Sequence, residues 1–151
     1  MLLKSREVQK MKDGFIKVAA ASIRVSVAGV NENKKEIIKK IENAEKCGVD
    51  LLVLPELCVT SYSCGDLFYS DVLLTAAKQA LKEIAEATSG RETLLAVGVP
   101  LLYCGKLFNS AAVIYGGEIL GIIPKTYLPN YAEFYEGRQF SSADKLSGGE
   151  T

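Results

Sequence analysis

Three side chains of this sequence stand where chemistry could be done. Glu56 follows Pro55 at the end of the apolar run VDLLVLPE (49–56), and Lys125 follows Pro124 at the end of another. Glu136 lies in the stretch TYLPNYAEFYEGRQF, among Tyr127, Tyr131, Phe134 and Tyr135. A carboxylate at a strand end can take and return a proton, and a lysine can stand where negative charge develops. Four thiols, Cys47, Cys58, Cys64 and Cys104, add candidate nucleophiles. The chain has no histidine, so a Ser/His/Asp triad, a Cys/His dyad and His-ligated metal sites are excluded. Catalysis would therefore run on Glu, Asp, Lys, Cys or Tyr. Each candidate also has a plainer reading. Glu56 reads equally as a strand-end charge facing water, Lys125 as a solvated side chain and Glu136 as local packing. The cysteines show neither a CxxC pair nor metal-ligand spacing, and read as reduced thiols of an intracellular protein.

The whole chain bounds these readings. At 151 residues with 48% hydrophobic residues it fits one globular domain with a real core. Its 18 basic and 18 acidic residues give no extended positive field, so neither nucleic acid nor an anionic membrane is expected as a partner. The opening MLLKSREVQKMKDG has too short an apolar run for a signal peptide, and no run approaches a membrane span. A cytoplasmic protein is expected.

The elements that must position the candidates alternate in type. FIKVAAASI (15–23) and VDLLVLPE (49–56) read as buried strands covered on both faces. Between them, NKKEIIKKIENAEKCG places Ile37, Ile38, Ile41 and Ala44 on one helical face, with Asn33 and Glu36 as an Asn-capped box and Gly48 as the C-terminal glycine. This is a βαβ unit, so its strands should be parallel. A second helix is expected over SDVLLTAAKQALKEIAEATSG. Ser70 caps it, Leu73, Ala77, Ala80, Leu81, Ile84 and Ala85 form its buried stripe, and Ser89 and Gly90 end it. TLLAVGVP (93–100) reads as a third strand, and turns at Gly105 and Gly116-Gly117 then predict antiparallel hairpins. Residues 1–14 read as an N-terminal extension, with Met11 itself a natural start, and SSADKLSGGET (141–151) as a flexible tail. In such sheets functional groups gather beyond the carboxyl ends of parallel strands, which is where Glu56 falls.

Taken in order, PEL, a run ending PKTYLP and a segment ending ExRxF resemble the carbon-nitrogen hydrolase (nitrilase) superfamily. The fuller wording LPELCVTSYSCGDLF with PKTYLPNYAEFYEGRQF is similar above all to the amino-terminal glutaminase domains of glutamine-dependent NAD synthetases. The resemblance covers about Phe15 to Phe140 and implies an α/β fold, the nitrilase-like αββα sandwich, with only about the first half of the domain present. It implies that Glu56 is the general base, Lys125 the catalytic lysine and Glu136 the second glutamate that helps hold the site. It places Tyr131, Tyr62 and Phe134 along a glutamine pocket. The activity implied is hydrolysis of L-glutamine through a cysteine thioester. The ammonia would pass to an ATP-dependent domain that amidates deamido-NAD, with ATP and Mg belonging to that domain and no cofactor to this segment.

The sequence departs from the family in one respect. The family's nucleophilic cysteine lies downstream of ExRxF, so the chain is expected to stop short of it and to be inactive alone. Cys58 lies nearest Glu56 but two residues along a turning loop. Exposed sheet edges would favour pairing with another chain, and a homo-oligomer is expected for the full-length protein. Two other readings stand beside this one: a stand-alone nitrilase-type amidase for another small amide, and a non-catalytic βαβ binding domain.

Overall fold

The structure, a computed structural model, describes residues 14–146. Five strands form one sheet in the order β1-β2-β3-β4-β5, with β1 at Val18–Ala20, β2 at Leu51–Val53, β3 at Leu94–Tyr103, β4 at Lys106–Tyr115 and β5 at Glu118–Pro124. Helix α1 (Val30–Lys46) joins β1 to β2 and α2 (Asp71–Ala87) joins β2 to β3, and both strand pairs are parallel, as the βαβ pattern predicts. β3, β4 and β5 then run antiparallel. Cys104 and Gly105 make one hairpin turn and Gly116 and Gly117 the other, all four at positive φ, which is what a tight turn between twisted strands requires.

The apolar period of each helix decides which face of the sheet is covered. The expected stripe of α2 is buried in full, and Ile37, Ile41 and Ala44 of α1 join it. They pack on Leu52, Leu95, Val97 and Val99 and on the cross-strand neighbours Ala112 and Ile114, forming the core. Strand side chains alternate between faces, so the residues between these point the other way. On that second face Val53 is 43% and Ile123 61% exposed. Among the described residues the helices cover one side of the sheet, while the other is covered where Gly98, Pro100 and Asn109 lie and is left bare at Val53 and Ile123.

Several elements depart from their sequence reading. The run 15–23 yields only three strand residues, with Phe15 and Ile16 exposed, because β1 is an edge strand whose second face no described residue covers. The run 49–56 likewise gives only Leu51–Val53, since Pro55 has no N–H to continue the ladder. Asn33 does not cap α1. The helix starts at Val30 with Gly29 as N-cap, and Asn33 sits fully buried inside it. Its side chain accepts from Ser26 N–H at 2.7 Å and donates to the carbonyls of Ser26 (2.9 Å) and Val59 (3.1 Å), tying two loops to the helix. Ser70 occupies the N-cap of α2 without a side-chain cap bond, and Gly48 follows α1 at φ +63° as expected of a C-terminal glycine.

Of the stretch 141–151 read as a flexible tail, residues 141–146 are held. Ser141 N–H donates to Leu107 O at 2.8 Å, the Ser142 hydroxyl to Thr126 O at 2.7 Å, and Ala143–Lys145 form a 3-10 turn. Residues 147–151 lie outside the described residues. So do residues 1–13 of the expected extension, with the start expected at Met11.

Candidate active site

Direction of travel along the sheet brings two of the three candidates together. β2, β3 and β5 all run the same way, because two antiparallel steps restore the direction of β3. Glu56 and Lys125 each follow a proline just past the carboxyl end of such a strand, so both reach the same edge of the sheet.

The turn that carries Glu56 is held against β3. Val59 N–H donates to Gly98 O at 3.2 Å and Ser61 N–H to Leu57 O at 2.8 Å. Leu57, directly after Glu56, sits at φ +49°, a strained conformation for a γ-branched residue. A Cβ on Gly98 would lie 2.3 Å from Leu57 N and 2.6 Å from Pro55 O, so only glycine lets the turn lie this close to the strand.

Lys125 is placed by β4, its N–H donating to Asn109 O at 2.8 Å. Its ammonium donates to Glu56 Oε1 at 2.6 Å and to Glu136 Oε1 at 2.9 Å. Glu136 opens a short helix α3 (Glu136–Gln139) and is only 3% exposed, whereas the Glu56 side chain is 42% exposed. Burial alone would pull the Lys125 ammonium down, but its hydrogen bonds to Glu56 and Glu136 outweigh it and hold the group above its ordinary value. Asn109 donates through Nδ2 to Glu56 Oε1 at 2.6 Å and to Glu136 Oε2 at 3.4 Å.

The expected substrate-binding aromatics run outward from Glu136. The Tyr62 hydroxyl donates to Glu136 Oε1 at 2.9 Å, and burial together with that carboxylate keeps the phenol protonated well above its usual range. Its ring meets Phe134 edge to face at 6.4 Å, and Phe134 meets Tyr131 at 5.6 Å. Beside them is a cavity of about 230 Å³ lined by Tyr62, Glu133, Tyr135, Glu136 and Phe140.

The cysteines are placed elsewhere. Cys58 is buried with Sγ donating to Gly98 O at 3.7 Å, and burial pushes its thiol up to about 11. Cys64 is buried against Thr60 O at 3.1 Å, its thiol also raised by burial, while Cys47 and Cys104 are exposed at a helix end and a hairpin turn. Among the described residues no thiol bonds to Glu56, Lys125 or Glu136. None of their His, Cys, Asp and Glu groups could hold a metal ion, and no helix is long and apolar enough to cross a membrane.

The sequence reading missed Asn109 and Gly98. Their signals were a polar residue within the apolar strand KLFNSAAVIY and a glycine inside VGV.

The profile of the carbon-nitrogen hydrolase family matches residues 17–149 of the chain. The chain belongs to the carbon-nitrogen hydrolase family. Among curated members of similar sequence, the glutamine-dependent NAD(+) synthetase of Mycobacterium leprae is 35% identical over 135 residues, covering 89% of this chain and 20% of that protein. That of Aquifex aeolicus is 34% identical over 132 residues, 87% and 23% of the two. The chain thus spans about a fifth of the length of these relatives. A crystal structure of the synthetase from Cytophaga hutchinsonii superposes with a TM-score of 0.80 at 31% identity, over 84% of this chain and 22% of that one. An amidase from Nesterenkonia sp. AN1 superposes at 0.70 and 20% identity over 91% of this chain and 51% of its own, which shows a shared fold. The nitrilase-like α/β architecture expected of this carbon-nitrogen hydrolase is therefore found, with about half of such a domain spanned.

Proposed function

We propose that this chain is part of the glutaminase domain of a glutamine-dependent NAD synthetase, in which it supplies every catalytic group except the nucleophile. The observation that carries the reading is the Lys125 ammonium held between Glu56 at 2.6 Å and Glu136 at 2.9 Å, at the carboxyl edge of the sheet. The synthetases of similar sequence and structure support glutamine as the amide.

The chemistry follows from which groups are occupied. An ammonium has three N–H donors, and two are taken by carboxylates, so one remains to meet an oxyanion. A cysteine thiol gives its proton to Glu56 as its sulfur attacks the side-chain amide carbon of glutamine. Lys125, with a backbone N–H, stabilises the negative oxygen of the tetrahedral intermediate. Glu56 returns the proton to the departing nitrogen, and ammonia leaves a thioester. Water then gives a proton to Glu56 and attacks the thioester, freeing L-glutamate and restoring the thiol. Glu136 keeps Lys125 in place, and Tyr131, Tyr62 and Phe134 line the glutamine pocket.

The nucleophile in this reading is a cysteine outside these 151 residues, since Cys58 and Cys64 are buried and bonded to backbone carbonyls and Cys47 and Cys104 sit away from the cluster. The amidase of like fold is described with acrylamide added at its active-site cysteine. The ammonia serves ATP-dependent amidation of deamido-NAD in the synthetase part, which holds ATP and Mg. The whole protein is a cytoplasmic homo-oligomer.

The test is release of glutamate from glutamine by the full-length protein. Glu56→Gln is expected to lower it by roughly 10³-fold or more while free ammonia still supports NAD formation. The 151-residue chain alone is expected to release no ammonia. Unchanged glutamate release by the Glu56→Gln protein would overturn the assignment, and hydrolysis of simple amides but not glutamine would move the chain to the amidases.

A further inference from the structure

We propose that Asn109 is a positioning residue that fixes which oxygen of Glu56 takes the proton; this deepens the glutaminase reading and rests on it. Asn109 lies buried on β4, opposite Pro100, on the sheet face turned away from the helices. One residue there meets all three candidates. Its backbone carbonyl accepts Lys125 N–H at 2.8 Å, and its Nδ2 reaches Glu56 Oε1 at 2.6 Å and Glu136 Oε2 at 3.4 Å. The amide must present its nitrogen here, because the flipped form would set its oxygen against two carboxylates.

The two glutamates are left in different states. Glu136 is bonded on both oxygens, Oε1 to Lys125 and Tyr62 and Oε2 to Asn109, and it is buried. On Glu56, Oε1 accepts from both Lys125 and Asn109, while Oε2 accepts from no donor among the described residues. The carboxylate of Glu56 therefore presents one free oxygen at a half-exposed position, and Oε2 is the atom that takes the proton from the thiol and later from water. Lys125 alone, a single flexible point charge, would leave the carboxylate free to rotate. The Asn109 donor from a rigid strand removes that freedom. Aspartate in its place would remove the donor and set a third carboxylate around one ammonium.

The experiment uses the full-length protein with Asn109→Leu and Asn109→Asp. The second variant keeps the shape of the side chain and serves if the leucine form fails to fold. In glutamine hydrolysis kcat is expected to fall roughly 100-fold with KM nearly unchanged, because the base is misplaced and the substrate pocket is not. The acid limb of kcat/KM is expected to move to higher pH in Asn109→Leu and further in Asn109→Asp, since the ionised carboxylate loses a donor and then also gains a like charge. A residue that merely packs would lower the melting temperature and leave that limb in place. A crystal structure of either variant should show the Glu56 carboxylate turned from its present orientation. An unmoved acid limb, or an unmoved Glu56, overturns the proposal. If the wild-type protein hydrolyses no glutamine, the glutaminase reading fails by itself, and the variant structure still decides whether Asn109 holds Glu56.

Discussion

One ammonium between two carboxylates leaves the cluster with a single net negative charge, and Lys125 is what makes a buried Glu136 tolerable. Removing it should be felt in the fold as well as in catalysis. Lys125→Met is expected to destabilise by about 3 kcal/mol, the low end for breaking a buried pair because Lys125 is 30% exposed. Thermal melts would check it. The pH dependence follows from the direction of the shifts. Lys125 and Tyr62 both hold their protons more tightly in the folded chain than at their ordinary values of about 10.4 and 10. Their stabilisation is fully present below those values and is lost as pH rises through the higher folded ones. The buried thiols of Cys58 and Cys64 are raised in the same sense from an ordinary value of about 8.5. Melting temperature should therefore hold from neutral pH to about 8, begin to fall above about 8.5 and fall further above about 10, this last part less steeply in Lys125→Met and Tyr62→Phe; an equally steep fall above pH of about 10 in both variants would refute this. At this scale the sequence was legible where a residue followed a strand-ending proline, as Glu56 and Lys125 do. It was silent on Asn109, whose importance depends on a strand pairing that no local pattern states, and on the bond from Tyr62 to Glu136 across 74 residues.

Between elements, the decisive contact is the Glu56 turn lying on β3. Gly98→Ala would force a methyl into the backbone of Pro55 and Leu57, where no side chain can swing aside. The expected cost is about 1–3 kcal/mol, with glutamine hydrolysis lost more completely than stability. Parallel measurement of denaturant midpoints and kcat separates the two, and a variant equal to wild type in both would refute the contact. The helices were the most legible elements. The α2 stripe was read residue by residue because burial against one sheet face imposes a 3.6-residue period. The start of α1 was misread at Asn33, because an asparagine that bonds outward to two loops has the same local sequence as one that caps. Strand lengths were overestimated for β1 and β2. An apolar run reports a wish to be buried, whereas a strand lasts only as long as a partner pairs with it.

On the scale of the whole molecule, mixed α/β class, parallel βαβ order and the change to antiparallel strands were all legible, since they follow from the order of elements and glycine turns. That no described residue covers Val53 and Ile123 on the second face of the sheet was not, because strands bare on one side and covered on both read alike when every position is apolar. The 151 residues expressed alone are expected to self-associate through that face and through the β1 and β5 edges. Light scattering after gel filtration should show oligomers that Val53→Lys with Ile123→Lys disperses, and a monomeric wild-type chain would contradict this. The same distances matter while the chain is being made. Glu56 precedes Asn109 by 53 residues and Lys125 by 69, so the ribosome releases this carboxylate long before either side chain that bonds it. Translation thus sets the order in which charge is balanced. The βαβ segment emerges with its carboxylate unpartnered, and only arrival of the β4–β5 hairpin with Asn109 and Lys125 supplies the donors that bond it.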